Sequence, residues 1–166
     1  MRLAAPLTSV LALAGCTSVQ LPADTSARLD PLAFFSGRTE GRGELHVLFS
    51  GARTMHVESV GRPSGNGGLL LTQHITQQGK PPRTREWTIR PVAPGRYTGS
   101  LTDAVGPVAL TVEGPRAEIR YTMKGGLMVH QQLALQPGGR TLLNQLEVAR
   151  FGLRVARVQE TIRKLP

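Results

Sequence analysis

Turn residues recur about every ten positions along most of this chain, and that punctuation limits what it can fold into. Between the breaks lie short runs in which apolar and polar residues alternate. The first run is Glu44–Ser50, closed by Gly51-Ala52. The second is Thr54–Val60, followed by Gly61-Arg62-Pro63-Ser64-Gly65-Asn66-Gly67-Gly68. Further runs are Leu69–Gln77, Arg83–Val92, Arg96–Leu101, Val105–Val112, Ala117–Lys124 and Met128–Gln136. Pairs such as Pro81-Pro82, Pro94-Gly95, Gly114-Pro115, Gly125-Gly126 and Gly138-Gly139 separate them. Runs this short suit strands joined by hairpins, so the expected fold is an all-β sandwich or barrel.

The last stretch is ambiguous. Leu142, Leu146, Ala149 and Leu153 are spaced like one face of a helix, as are Val155, Val158, Ile162 and Leu165. The same residues also admit alternation, and Gly152 interrupts either pattern.

With 166 residues, of which 40% are hydrophobic, the chain is long enough for one domain with a core. It carries 20 Lys+Arg against 11 Asp+Glu, a formal charge of +9, and only Lys80, Lys124 and Lys164 are lysines. The arginines are scattered. No basic stripe alternates with aromatic platforms, so nucleic acid is not an expected partner. A basic protein held near anionic phospholipid fits the balance better.

The front of the chain points the same way. Met1-Arg2 precedes an apolar stretch, Leu3 to Gly15, that is too short to span a bilayer, where about 20 residues are needed. It ends in Leu13-Ala14-Gly15-Cys16, small residues directly before the only cysteine. This resembles a bacterial lipoprotein signal over residues 1–15, with Cys16 as the acylated residue. Thr17 after the cysteine, by resemblance to enterobacterial sorting, favours the periplasmic face of the outer membrane. Removing residues 1–15 takes away Arg2, so the charge becomes +9 − 1 = +8. Residues 16–30 then read as acylated Cys16 plus a flexible tether, because Thr17 to Asp30 is polar and aperiodic. Residues 31–166 read as the single folded domain.

Few residues suggest chemistry. There is no Gly-x-Ser-x-Gly or Ser-x-x-Lys, and the glycine-rich 61–68 stretch lacks the lysine of a phosphate loop. A lone cysteine forms no intramolecular disulfide. One metal arrangement is worth stating. If the apolar faces of the first two runs coincide, the tightest register pairs Val47 with Met55 and Leu45 with Val57. His46 then lies opposite His56, and Glu44 opposite Glu58, two imidazoles and two carboxylates on one face. The competing reading is a solvated outer face, and no cofactor is expected.

Several segments together resemble a family: Leu29-Asp30-Pro31-Leu32-Ala33-Phe34-Phe35-Ser36-Gly37, Trp87-Thr88-Ile89, Gly95-Arg96-Tyr97-Thr98-Gly99, Asp103-Ala104-Val105-Gly106, Arg120-Tyr121-Thr122, Thr141-Leu142-Leu143-Asn144 and Phe151-Gly152. Their order is similar to that of domain-of-unknown-function family 3833, proteobacterial lipoproteins of lipocalin-like character. The resemblance covers about Leu29 to Lys164. It implies an antiparallel up-and-down barrel of about 8–10 strands, with strands rather than a helix at the C-terminus. It carries no catalytic residues. Members are often encoded beside enzymes that modify membrane fatty acids. This chain departs from the family at Gln131-Gln132-Leu133-Ala134-Leu135, where acidic and tryptophan residues are usual.

The leading expectation is a binding module for a fatty-acid or other lipid-like ligand. Trp87, Tyr97, Ile119 and Tyr121 would wall the pocket, and Arg96 or Arg120 would meet an acidic headgroup. The alternatives are a structural or interaction envelope lipoprotein with a filled core and no ligand, and a metal-dependent enzyme built on His46 and His56.

Overall fold

The computed structural model describes residues 20–166. Ten antiparallel strands form a closed barrel in simple meander order. They are β1 (Gly37–Val47), β2 (Gly51–Ser64), β3 (Gly68–Gln77), β4 (Arg83–Ala93), β5 (Arg96–Leu101), β6 (Ala104–Glu113), β7 (Arg116–Met123), β8 (Leu127–Leu135), β9 (Thr141–Arg150) and β10 (Leu153–Lys164). Every strand pairs with its sequence neighbours, and β1 pairs with β10 to close the ring. Closure leaves no edge strand to template aggregation.

Alternation sets the faces. Leu69, Leu71, Ile75, Trp87, Ile89, Ile119, Tyr121, Val129, Leu133 and Leu142 are buried inside. Arg42, Glu58, Arg90 and Arg120 stand exposed on the outer wall. Apolar in and charged out is the reverse of a barrel that faces lipid hydrocarbon. Proline sits where the ladder is broken: the pairing shifts register between Pro91 and Ala93 in β4, and between Val105 and Ala109 around Gly106-Pro107 in β6. Pro lacks the donor a continuous ladder needs.

One end is plugged. A short helix, α1 (Pro31–Phe35), is capped by Asp30, whose Oδ1 accepts from the Leu32 and Ala33 amides at 3.0 and 3.1 Å. Its exposed carbonyls meet Lys164, which donates from Nζ to Ala33 O, Phe34 O and Ser36 O at 2.6, 3.0 and 2.8 Å. Phe34 and Phe35 pack edge to face, 5.1 Å between centroids, and enter the core with Leu29. The carbonyl of Phe35 lies so close to Gly61 that a Cβ there would come within 1.9 Å of it.

Several expectations are corrected here. β1 begins at Gly37, not Glu44, so the first hairpin is longer and its register differs. Val47 pairs with Gly51 and Leu45 with Arg53, while Met55 faces Gly43 and Val57 faces Gly41. The parity is as expected, because each pair still sums to an even number, and the apolar faces coincide. The residue opposite His46 is Ala52, and the residue opposite His56 is Arg42. The segment read as a tether is also corrected from Gln20 onward. Asp24 N donates to Leu135 O at 2.8 Å, Leu29 N to Gly114 O at 2.9 Å, and Leu29 is buried. Cys16 and the signal lie outside the described residues. The ambiguous C-terminal stretch is strand, which completes the ring.

Among the described residues the ring closes β1 on β10 around its core, so residues 20–166 should fold on their own. Gly61→Ala should cost about 1–3 kcal/mol because the neighbour that must yield is backbone. Gly65→Ala, with open space around it, should leave the urea unfolding midpoint nearly unchanged.

Candidate functional site

The barrel interior is not filled. A cavity of about 170 Å³ runs from Phe35 at the plugged end toward Leu45, Met55, Gln77, Arg83 and Met123 at the other. An engineered apolar cavity of about 150 Å³ holds benzene, and drug-sized pockets start near 300 Å³. The space therefore suits a slender apolar group rather than a bulky one. A larger open cleft of about 580 Å³ lies outside the plugged end, beside Gln20 and Gly114-Pro115-Arg116.

Of the expected pocket walls, Trp87, Ile119 and Tyr121 line this cavity. Trp87 and Tyr121 meet edge to face, 5.7 Å between centroids and 85° between planes. Tyr97 does not line it; it packs half-buried against the core. Neither arginine named for a headgroup reaches the interior. Arg96 is exposed at the start of β5. Arg120 points outward and pairs with Glu118 at 3.0 Å. The alternation that places Ile119 and Tyr121 inside must place Arg120 outside.

Other polar residues enter the barrel instead. Gln73 lies between Leu71 and Ile75, Gln131 between Val129 and Leu133, Asn144 between Leu142 and Leu146, and Glu160 between Val158 and Ile162. All four line the cavity, as does Arg85. A polar residue flanked at i±2 by inward apolar ones is a signal present in the sequence, and it marks each of these four. The five form a belt across the apolar wall. Asn144 Nδ2 donates to Glu160 Oε2 at 2.8 Å. Trp87 Nε1 donates to Gln73 Oε1 at 2.7 Å, and Gln73 Nε2 to Ser59 Oγ at 3.3 Å. Arg85 Nε lies 3.0 Å from Asp103 Oδ2, and its NH2 reaches Tyr121 OH at 3.5 Å. Two buried oxygens of the belt, Gln131 Oε1 and Asn144 Oδ1, have no partner. A buried acceptor without a donor is a cost that a ligand donor would relieve.

Burial pushes the Glu160 carboxyl above the usual carboxylate range, against the opposing pull of the Asn144 amide and the Arg85 charge. Gly41 makes its position possible: a Cβ there would overlap the Glu160 carboxylate. Burial likewise raises the Tyr121 hydroxyl.

The histidines do not form a metal site. His56 Nε2 sits 2.8 Å from Glu40 Oε1, which also accepts from Arg42 at 2.8 Å, and these two hydrogen bonds hold Glu40 below its ordinary value. His46 lies 3.3 Å from Glu44. Among the described residues no cluster of three His, Cys, Asp or Glu could hold a cation.

The comparison with known proteins fits this architecture. The family model described as "protein of unknown function (DUF3833)" matches residues 10–164. The chain belongs to this family. Among curated proteins none matches. Among solved structures, the S-type phycobiliprotein lyase CPES from Guillardia theta is similar in fold. Its TM-score is 0.65 over 81% of this chain and 90% of that one, at 4% identity. At that identity the likeness reaches the lipocalin-like barrel and no further.

Glu160 yields a prediction. An acid whose pKa is raised on folding binds its proton more tightly folded than unfolded. Its contribution is full below the ordinary value of 4.5 and declines as pH rises through the folded value. Urea unfolding of Glu160→Gln and wild type across this range should show the variant gaining relative stability as pH rises.

Proposed function

We propose that this family member is a lipid-anchored carrier for a slender apolar ligand that bears a hydrogen-bond donor. The observation that carries the reading is the interior cavity, apolar along most of its wall and crossed by a belt with two unpartnered acceptors. An apolar body would enter among Trp87, Ile119 and Tyr121. An O–H or N–H of the ligand would reach Gln131 Oε1 or Asn144 Oδ1. A lipid-like molecule with a hydroxyl or protonated head has this form, which keeps a link to fatty-acid or envelope lipid metabolism in view. Arg85 is engaged by Asp103 and Tyr121, so a carboxylate head would have to compete for it.

A filled interior would favour a purely structural envelope protein, and the open space favours the carrier. Acylation at Cys16 is part of the proposal, supported by the apolar stretch and small residues before it.

Protein purified without denaturant from the envelope of its own bacterium should show a mass above that of the acylated chain. The excess should extract into organic solvent. Ile119→Phe, which fills the cavity, should abolish the excess while circular dichroism still reports the barrel. A bare mass from both, persisting after incubation with total lipid extract, would return the weight to the structural reading. Cys16→Ser should separately abolish incorporation of labelled palmitate.

A further inference from the structure

The barrel end opposite α1 carries six large apolar side chains left in solvent: Leu48, Phe49, Val105, Met128, Phe151 and Leu153, each more than half exposed. They lie in or beside the hairpin tips β1–β2, β5–β6, β7–β8 and β9–β10. The remaining exposed apolar residues, Val60, Leu70 and Val92, stand singly along the strands.

Two of the six occupy positions that local conformation argues against. Phe49 has φ 64° and is 97% exposed; Phe151 has φ 50° and is 88% exposed. A bulky side chain in the left-handed region is an outlier. Phe151-Gly152 forms a two-residue hairpin turn with both φ values positive, the geometry for which Asn-Gly is the favoured pair. The chain uses that solution at the plugged end, where Asn66 (φ 59°) and Gly67 (φ 67°) turn β2 into β3. At the open end it places phenylalanine instead and buries neither ring. The Arg150 guanidinium lies over the Phe151 ring, 5.1 Å from its centroid, yet both phenylalanines stay almost fully exposed, and strain retained with so little packing marks a surface that acts on something else.

The charges around these tips select the partner. Lys80 and Lys124 sit in the β3–β4 and β7–β8 turns, Arg53 and Arg150 in the strands at the two phenylalanine hairpins. None of the four forms an ion pair with a carboxylate among the described residues. Of the acidic groups near this end, Asp103 is matched by Arg83 and Arg85 and Glu147 by Arg154, while Glu44 faces only His46 and Glu86 stands exposed, both set back from the tips. The rim is thus apolar at its projecting points and positive between them. The two phenylalanine hairpins are neighbours across the closing seam, where Leu48 N donates to Val155 O at 2.9 Å.

We propose that this rim docks on an anionic phospholipid bilayer, with Phe49 and Phe151 inserted between headgroups and the basic side chains on the lipid phosphates. Paired aromatic tips with a basic surround match an interface that is apolar a few ångströms below an anionic surface. The cavity mouth, at Leu45, Met55, Gln77, Arg83 and Met123, would then open onto the lipid. The docking stands on the rim alone and does not require that the cavity hold a ligand.

Residues 20–166, which lack any acyl group, are mixed with vesicles of pure phosphatidylcholine or of equal parts phosphatidylglycerol and phosphatidylethanolamine, and sedimented. The protein should pellet with the anionic vesicles, and less so as salt is added. The Phe49→Asn/Phe151→Asn double variant should lose about tenfold or more of this partitioning. Its unfolding temperature should stay equal or rise, because Asn suits both turns. Lys80→Gln/Lys124→Gln should weaken binding severalfold. The proposal is overturned if the wild type stays in the supernatant, or if the Asn variant binds as well as the wild type. It is also overturned if the phenylalanines serve only a concentration-dependent self-association without lipid.

Discussion

Everything in this barrel depends on the seam between β1 and β10. Nine paired positions, Thr39 with Lys164 through Val47 with Ala156, convert an open sheet into a ring. The approach is tight. A Cβ at Gly43 would come within 2.1 Å of the Gln159 carbonyl, and one at Gly41 would overlap the Glu160 carboxylate. Two glycines in β1 therefore let the last strand close on the first. Gly41 in addition leaves room for a carboxyl inside the barrel. The seam and the polar belt are in this sense one feature. Closure requires small residues in β1, and the space they leave admits Glu160, whose Oε2 accepts from Asn144.

The seam also explains which parts of the fold were legible in the sequence. Eight of the hairpin arms follow from Gly and Pro punctuation, because glycine takes the positive φ that most of these turns use and proline cannot continue a ladder. The alternating runs are read only from Glu44 onward, whereas β1 begins at Gly37 and carries Gly41 and Gly43 inside it. Gly41 and Gly43 are strand residues whose close neighbours, Glu160 and Gln159, lie more than a hundred positions away, which no local pattern reports. The register of the first hairpin differs because the chain turns at Leu48–Ser50 and Gly51 already belongs to β2, which removes the expected meeting of His46 and His56. The face assignment holds, since a shift by four residues keeps parity.

The site was legible in part for a similar reason. Trp87, Ile119 and Tyr121 follow from alternation alone. The polar belt follows from the same rule applied to the exceptions, polar residues at inward positions, and those exceptions carry the chemistry. Choosing arginines for their charge rather than their parity led to Arg96 and Arg120, which the pleat directs outward. The segment from Gln20 to Asp30 was illegible because it has no period. Backbone hydrogen bonds to Leu135 and Gly114, not an amphipathic pattern, hold it to the barrel.

The placement of that segment bears on how the molecule sits in an envelope. Arg116 donates to Leu21 O at 2.6 Å and Gln136 to Pro22 O at 2.7 Å, so the chain enters at the plugged end. Cys16 precedes Gln20 by 20 − 16 = 4 positions, a reach of at most about 14 Å when extended. An acyl group at Cys16 and the phenylalanine tips would therefore act at opposite ends of a barrel whose strands reach 14 residues in length. With both engaged, the barrel must either lie along one bilayer or stand between two. The first arrangement would press part of the charged outer wall, with Arg42, Glu58 and Arg90, against headgroups. The second would leave that wall in water and turn the cavity mouth to the surface that does not hold the anchor. In the second arrangement, the proposed carrier, held at its plugged end and open at the other, would be placed to exchange its contents with an opposed membrane.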